Sequence, residues 1–214
     1  MDKESVDLLV AAIDNELPQP LKEYPGGWPD EIEAALIDAV LTIRAKYGQP
    51  HNGVRGAVAR YRDHVGVWSL DSLSRLADYD QEELAGLLGA QRTSGRSKSS
   101  AIIEAAQNLR TAGVETASDL TQNNAQYMKH YVRVHGLGKV TWEYFTMLVG
   151  KPGVKADRWI VRWVAATLGR KRVSSEEARE LIVAAQEQMH QDSPETAPAL
   201  TQLDHAIWDH VRTL

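Results

Sequence analysis

The 214-residue sequence contains no cysteine. That excludes disulfides, thiolate zinc sites and a cysteine-ligated iron–sulfur cluster. No apolar run approaches the roughly 20 residues of a membrane span. The first residues, Met1-Asp2-Lys3-Glu4-Ser5, are acidic and lack both a basic stretch and a cleavage site, so no signal peptide is expected. A cytoplasmic, monomeric protein is the resulting expectation. Internal repeats and low-complexity tails are missing. Seven histidines are present, none at metal-ligand spacing; His205 and His210 are five apart and share a helical face poorly. No metal site built from side chains is expected. Alternating apolar–polar runs are scarce, which argues against strands.

What recurs instead is a 3.6-residue apolar period. Val6, Leu9, Ile13 and Leu17 form one helical face, closed by Pro18 and Pro20. A second helix starts near Pro29 and carries Ile32, Leu36, Val40, Ile43 and Tyr47. Short helices are expected near 53–64, 70–77, 81–88 and 116–121, and a helix over roughly 98–112, with 91–95 as a polar loop. Further helices follow over 124–134, 139–149 and 157–168. Ser174 and Glu177 have capping-box spacing for the next helix, lined by Leu181, Ile182, Ala185 and Met189. The last carries Leu200, Leu203, Ile207, Val211 and Leu214. The expectation is an all-α protein of about a dozen short helices.

Charge is unevenly distributed. The net charge is −5, yet residues 91–172 carry 14 Lys and Arg against 5 Asp and Glu, a net of +9. The remainder carries 10 against 24. Such asymmetry suggests a basic face on an acidic body; solvated helix faces are the plain alternative.

Within the basic stretch lies Val134-His135-Gly136-Leu137-Gly138-Lys139-Val140-Thr141, between two predicted helices. Glycines two apart permit a tight turn and keep side chains out of a partner's way. The following helix offers backbone N–H groups and a positive dipole end, both suited to a phosphate oxygen. An ordinary C-cap glycine is the plain alternative. Asp157 stands 19 residues beyond Gly138, after the loop Gly150-Lys151-Pro152-Gly153-Val154-Lys155-Ala156, at the expected N-cap of a helix.

The hairpin 134–138 together with Pro152-Gly153-Val154-Lys155-Ala156-Asp157-Arg158-Trp159-Ile160-Val161-Arg162 resembles the HhH-GPD (helix-hairpin-helix) DNA glycosylase superfamily. That superfamily includes endonuclease III, adenine glycosylases and alkylpurine glycosylases. Its pattern Leu-Pro-Gly-Val-Gly, a loop, then Val-Asp-Thr-His-x-x-Arg is similar in order and spacing. Looser likenesses lie upstream. Leu41-Thr42-Ile43-Arg44 resembles a Leu-Ser-x-Gln stretch, and Gly95-Arg96-Ser97-Lys98 with Ile102 and Ile103 resembles a Tyr-x-x-Lys-Ala helix start.

The resemblance implies a two-lobed helical fold with a DNA-binding cleft between the lobes. One lobe would be built from 1–28 and 152–214, the other from 29–151, ending in the helix-hairpin-helix at about 124–150. It implies base-excision repair of double-stranded DNA, with Asp157 as the catalytic carboxylate. Gly136, Gly138, Lys139, Thr141, Arg96, Lys98, Lys155 and Arg158 become candidate DNA contacts, and Arg92 joins Arg96 and Lys98 as a phosphate ligand. Arg44 maps near the position of a wedge residue, with Tyr47, Trp28 and Tyr24 as a base pocket. Members that also cleave the strand carry a lysine two residues after the second hairpin glycine; here that residue is Val140. A monofunctional enzyme is therefore implied, and the missing cluster points toward an alkylated purine substrate. No cofactor is expected beyond a monovalent cation against the hairpin backbone at 134–138. A non-catalytic helix-hairpin-helix DNA binder and a helical interaction protein fit the same residues.

Overall fold

The computed structural model describes residues 2–24, 26–45, 48, 51–121 and 124–213. Eleven α-helices are described, and they divide between two compact units: Met1–Gly26 with Pro152–Leu214, and Gly27–Lys151.

The second unit is organised around α2 (Ile32–Leu41), in which every residue is buried. A sequence of Ala, Leu, Ile and Val favours helix and carries little polar surface, so it suits the centre of a bundle. Around it stand α3 (Gly53–Val65), α4 (Leu73–Ala77), α5 (Gln81–Leu88), α6 (Lys98–Thr111), α7 (Asn124–Tyr131) and α8 (Lys139–Leu148). Helix α2 packs directly on α3, α4, α6 and α8. Its two acids accept hydrogen bonds from groups that are mostly distant in sequence. Glu33 accepts hydrogen bonds from the Tyr61 hydroxyl (2.7 Å), the Ser72 amide (2.9 Å) and Arg75 (2.7 Å). Burial still pushes the Glu33 carboxyl above its ordinary range. Asp38 accepts from the Trp28 indole at 2.9 Å and the Thr42 hydroxyl at 3.0 Å.

The segment expected as a polar loop at 91–95 contains a two-residue antiparallel ribbon, β1 (Arg92–Thr93) with β2 (Arg96–Ser97). Four residues are too few to display a period. The 116–121 helix is a 3₁₀ turn, Ala117–Thr121.

The first unit packs α1 (Lys3–Glu16) on α10 (Ser175–Asp192) and α9 (Arg158–Thr167) on α11 (Leu200–Thr213). Leu9, Ile13, Ile160, Val164, Ile182, Leu203 and Ile207 fill its centre. Polar ties close its rim. The Trp163 indole donates to Glu16 at 2.9 Å, and Arg170 donates to both Ser5 and Glu177. The Ser174 hydroxyl accepts the Glu177 amide at 3.1 Å. The Glu177 carboxylate bonds Arg170 at 2.7 Å, so it serves this rim tie.

Candidate functional site

The glycine hairpin is built from its aromatic base upward. Tyr131 at the end of α7 stacks on Phe145 of α8 (5.8 Å, 6°) and meets Trp142 at 5.3 Å. These rings join the two helices below the turn. Val134 and Leu137 are buried and anchor the turn itself, and the Leu137 amide donates to the Val134 carbonyl at 3.0 Å.

The two glycines answer different needs. Gly136 has φ +94°, and a Cβ there would lie 3.1 Å from Ser94 Cβ and Oγ. It is required by its own backbone and by the ribbon packed against it. Gly138 has φ −143° and ψ −179°, extended backbone open to any residue. A Cβ built on it meets nothing within 4 Å. It also caps α8 without a side chain, whereas Asp2, Asp80, Ser97, Asp157 and Ser174 cap their helices with side-chain oxygens. The first turn of α8 thus carries no side-chain cap, beside open space, with Lys139 exposed at its first position.

Several expected DNA contacts are committed elsewhere. Lys98 is 2% exposed, and its ammonium donates to the Leu41 carbonyl (2.7 Å), the Ile43 carbonyl (2.8 Å) and Gln91 Oε1 (3.2 Å). It clamps the C-terminal end of α2, and burial lowers its pKa. Lys98 is therefore a buried structural cation whose three protons are used inside the fold. Thr141 accepts the Gly138 amide at 3.2 Å, so its hydroxyl stabilises the turn. Arg96 is held by Glu104 at 2.5 Å and Ser100 at 3.1 Å. Arg92 is exposed on the ribbon that packs against Gly136, and it donates to the Gly95 carbonyl.

Arg44 is exposed at the end of the α2 turn with φ +51°, a left-handed conformation that costs a non-glycine residue of order 1–3 kcal/mol. Lys98 grips the carbonyls on either side of Thr42, just before it. Trp28 is half-buried and lines an open hollow of about 250 Å³ with Arg55, Ala59, Arg62 and Asp63. Tyr24 belongs to the first unit and meets the His205 ring edge-on at 5.7 Å. Tyr47 lies outside the described residues. Trp142, Trp159 and Trp163 do not share one core: the first packs in the second unit, the other two in the first unit.

Asp157 caps α9. Its Oδ1 accepts the amides of Trp159 (2.8 Å) and Ile160 (3.4 Å). Both recorded hydrogen bonds fall on one oxygen. The side chain is half-buried, with exposed Arg158 beside it, stacked over the Trp159 ring at 4.6 Å. Lys155, two residues earlier, donates its backbone amide to Asp204 of α11 at 2.8 Å. Asp204 was not singled out from the sequence. Its signal there is an acid four residues after Leu200 and three before Ile207, inside the apolar stripe of the last helix. Burial pushes the Asp204 carboxyl up to about 8, with the charge of Asp157 adding to the rise. Among the described residues no group of acids and histidines is arranged to hold a metal, and no helix is long and apolar enough to cross a membrane.

The fold is similar, over nearly the whole chain, to those of solved DNA glycosylases. The structure of the H. pylori 3-methyladenine DNA glycosylase bound to 1,N6-ethenoadenine is similar with a TM-score of 0.63 and 18% identity, over 97% of this chain and 95% of that one. An 8-oxoguanine DNA glycosylase of Methanocaldococcus jannaschii is similar with a TM-score of 0.51 and 19% identity, over 99% and 92%. Endonuclease III, trapped as a covalent intermediate with DNA, gives 0.50 and 16%, over 98% and 81%. At these identities the likeness concerns the fold alone. By sequence, the chain belongs to the family described as a domain of unknown function, DUF8548, whose profile matches residues 7–212. No curated protein matches it.

Proposed function

We propose that this protein is a monofunctional DNA glycosylase that hydrolyses the N-glycosidic bond of a damaged base in duplex DNA. Asp157 is its catalytic carboxylate. The observation that carries the reading is the division of labour within that side chain. Oδ1 takes both cap hydrogen bonds, and Oδ2 has no partner among the described residues. A carboxylate fixed in this way can face positive charge developing on the sugar as the base departs, or orient the attacking water.

The hairpin supplies the DNA grip. Amides of the uncapped α8 turn meet a phosphate over Gly138, with Lys139 beside it and Arg92 on the adjoining ribbon. Lys155 and Arg158 flank Asp157 and serve the strand near the target. A monovalent cation between the hairpin carbonyls and the phosphate fits this grip; it would share the Val134 carbonyl with the Leu137 amide. Arg44 fills the gap left by the extruded base, and Trp28 borders that base. Val140 stands where a strand-cleaving member carries its lysine, so no Schiff base forms and the product is an abasic site. The glycosylases of similar fold include enzymes named for 3-methyladenine and 8-oxoguanine, and an alkylated purine is the substrate class proposed here.

The test is an abasic-site assay over duplexes carrying 3-methyladenine, 1,N6-ethenoadenine and 8-oxoguanine. Base release is expected without strand cleavage and without borohydride trapping, and Asp157→Asn should abolish it. Tight binding with no release on any duplex would replace this reading with that of a non-catalytic DNA binder, which the cap role of Asp157 favours.

A further inference from the structure

The loop that carries Asp157 is fastened from behind. Three hydrogen bonds run in sequence from α11 to the start of α9. The Lys155 amide donates to Asp204 Oδ1 at 2.8 Å. The Asp157 amide donates to the Lys155 carbonyl at 2.6 Å. The Trp159 amide donates to Asp157 Oδ1 at 2.8 Å. The Lys155 N–H and C=O belong to successive peptide groups joined at its Cα, so Asp204 holds the first and the tight turn carries that position on to Asp157.

We propose that Asp204 is a positioning residue for Asp157, and that the two carboxyls act on one another through the two peptides that flank the Lys155 Cα. The proposal rests on the reading of Asp157 as the catalytic carboxylate. Asp204 is 8% exposed and sits on the apolar stripe of α11, among side chains that fill the first unit. An asparagine or a serine in that place would accept the same amide without a charge to bury. A carboxyl there adds something an amide does not, a proton whose presence depends on the neighbouring charge.

The charged groups that act on Asp204 are Lys155, which favours its ionised form, and Asp157, which opposes it. Burial is the largest influence and acts with Asp157. Asp204 keeps its proton and serves the loop as a neutral acceptor. Ionising both would place two negative charges within one unit, one of them away from water.

The test uses the full chain and two independent readouts. The first is the pH dependence of the backbone amide resonances of Lys155 and Trp159. Wild type should show both moving with a common midpoint near 8. In Asp204→Asn that alkaline step should vanish from both. The second readout is single-turnover base release on the duplex that proves to be a substrate. Asp204→Asn should stay within about threefold of wild type, while Asp204→Leu, which cannot accept the Lys155 amide, should lose at least about tenfold in the single-turnover rate constant with little change in affinity for the duplex. A Trp159 amide insensitive to the alkaline step, or an Asp204→Leu enzyme of wild-type rate, overturns the proposal. If no duplex is turned over, the reading of Asp157 as catalytic fails, and the amide titration still decides whether the two carboxyls are coupled. If Asp204→Leu does not fold, the Asp204→Asn titration decides alone.

Discussion

The sharpest test of the hairpin separates its two glycines. Gly138→Ala adds a methyl at extended backbone, where nothing lies within 4 Å. The native φ and ψ suit alanine, and a less flexible unfolded chain favours folding by roughly 0.4–1 kcal/mol, but alanine is a poorer helix N-cap than glycine by a similar amount. Tm should therefore stay within about 2 °C of wild type. The same methyl occupies the approach to the uncapped turn of α8. Losing one charge-assisted amide contact with phosphate costs about 1.5–3 kcal/mol, or roughly 10- to 150-fold in Kd. Gly136→Ala should instead act on folding. Its φ of +94° and the 3.1 Å approach to Ser94 bring a folding cost of about 1–3 kcal/mol. Circular-dichroism melts and fluorescence anisotropy with a labelled duplex at fixed salt measure both effects. A Gly138→Ala protein that melts as expected yet binds as tightly as wild type would refute the assignment of this turn to DNA.

The cap and the chemistry of Asp157 can be separated: Asp157→Asn should melt like wild type, whereas Asp157→Ala should lose about 0.5–2 kcal/mol of stability, and both should be inactive in the abasic-site assay. Lys98→Met should lower stability by about 2–4 kcal/mol, because the carbonyls of Leu41 and Ile43 lose their donor, without changing the salt dependence of DNA binding. That dependence should have a slope of about −3 to −4 in log K against log salt if Arg92, Lys139, Lys155 and Arg158 each neutralise a phosphate, and each alanine substitution should flatten it by about 1. For Asp204 the folded-state pKa is raised from 3.8 to about 8, so the folded protein binds more protons across that window and its stability falls as pH rises through it. Thermal melts of Asp204→Asn should therefore gain on wild type progressively from about pH 4 to pH 8, with no gain at lower pH.

Much of the helical framework was legible because amphipathic helices print their period in sequence. Helices α1, α10 and α11 each carry a buried stripe that can be counted. Helix α2 was legible as a helix but not as the centre of its unit. A helix buried on all sides shows no polar face to orient it, and apart from Thr42, one turn on, its acids find partners 10 to 42 residues away. Lys98 illustrates the limit for sites. A lysine at a helix start inside a basic stretch reads as a phosphate ligand, and only the carbonyl of Leu41, 57 residues earlier, reveals its task. The hairpin was legible from its glycines, yet the distinction between them was not, since Gly136 is constrained by Ser94 of a ribbon too short to predict. Asp157 was legible as a cap. The group behind it was hidden in the stripe of the last helix.

That hidden group bears on the choice between an enzyme and a silent binder. A capping aspartate is explained in full by the amides it accepts, and such a cap contributes about 0.5–2 kcal/mol wherever a helix begins. Nothing in that role requires a second carboxyl behind the loop. Asp204 is an unfavourable residue for a purely structural post: its burial outweighs the amide it accepts, and the neighbouring negative charge adds to the cost. Neutral acceptors would tie Lys155 equally well without that cost. What Asp204 supplies is a tie on the loop that carries Asp157. A loop fastened from behind argues for a positioned carboxylate more strongly than the cap geometry does, and the melts and amide titrations of Asp204→Asn test whether the two carboxyls act on one another without requiring a known substrate.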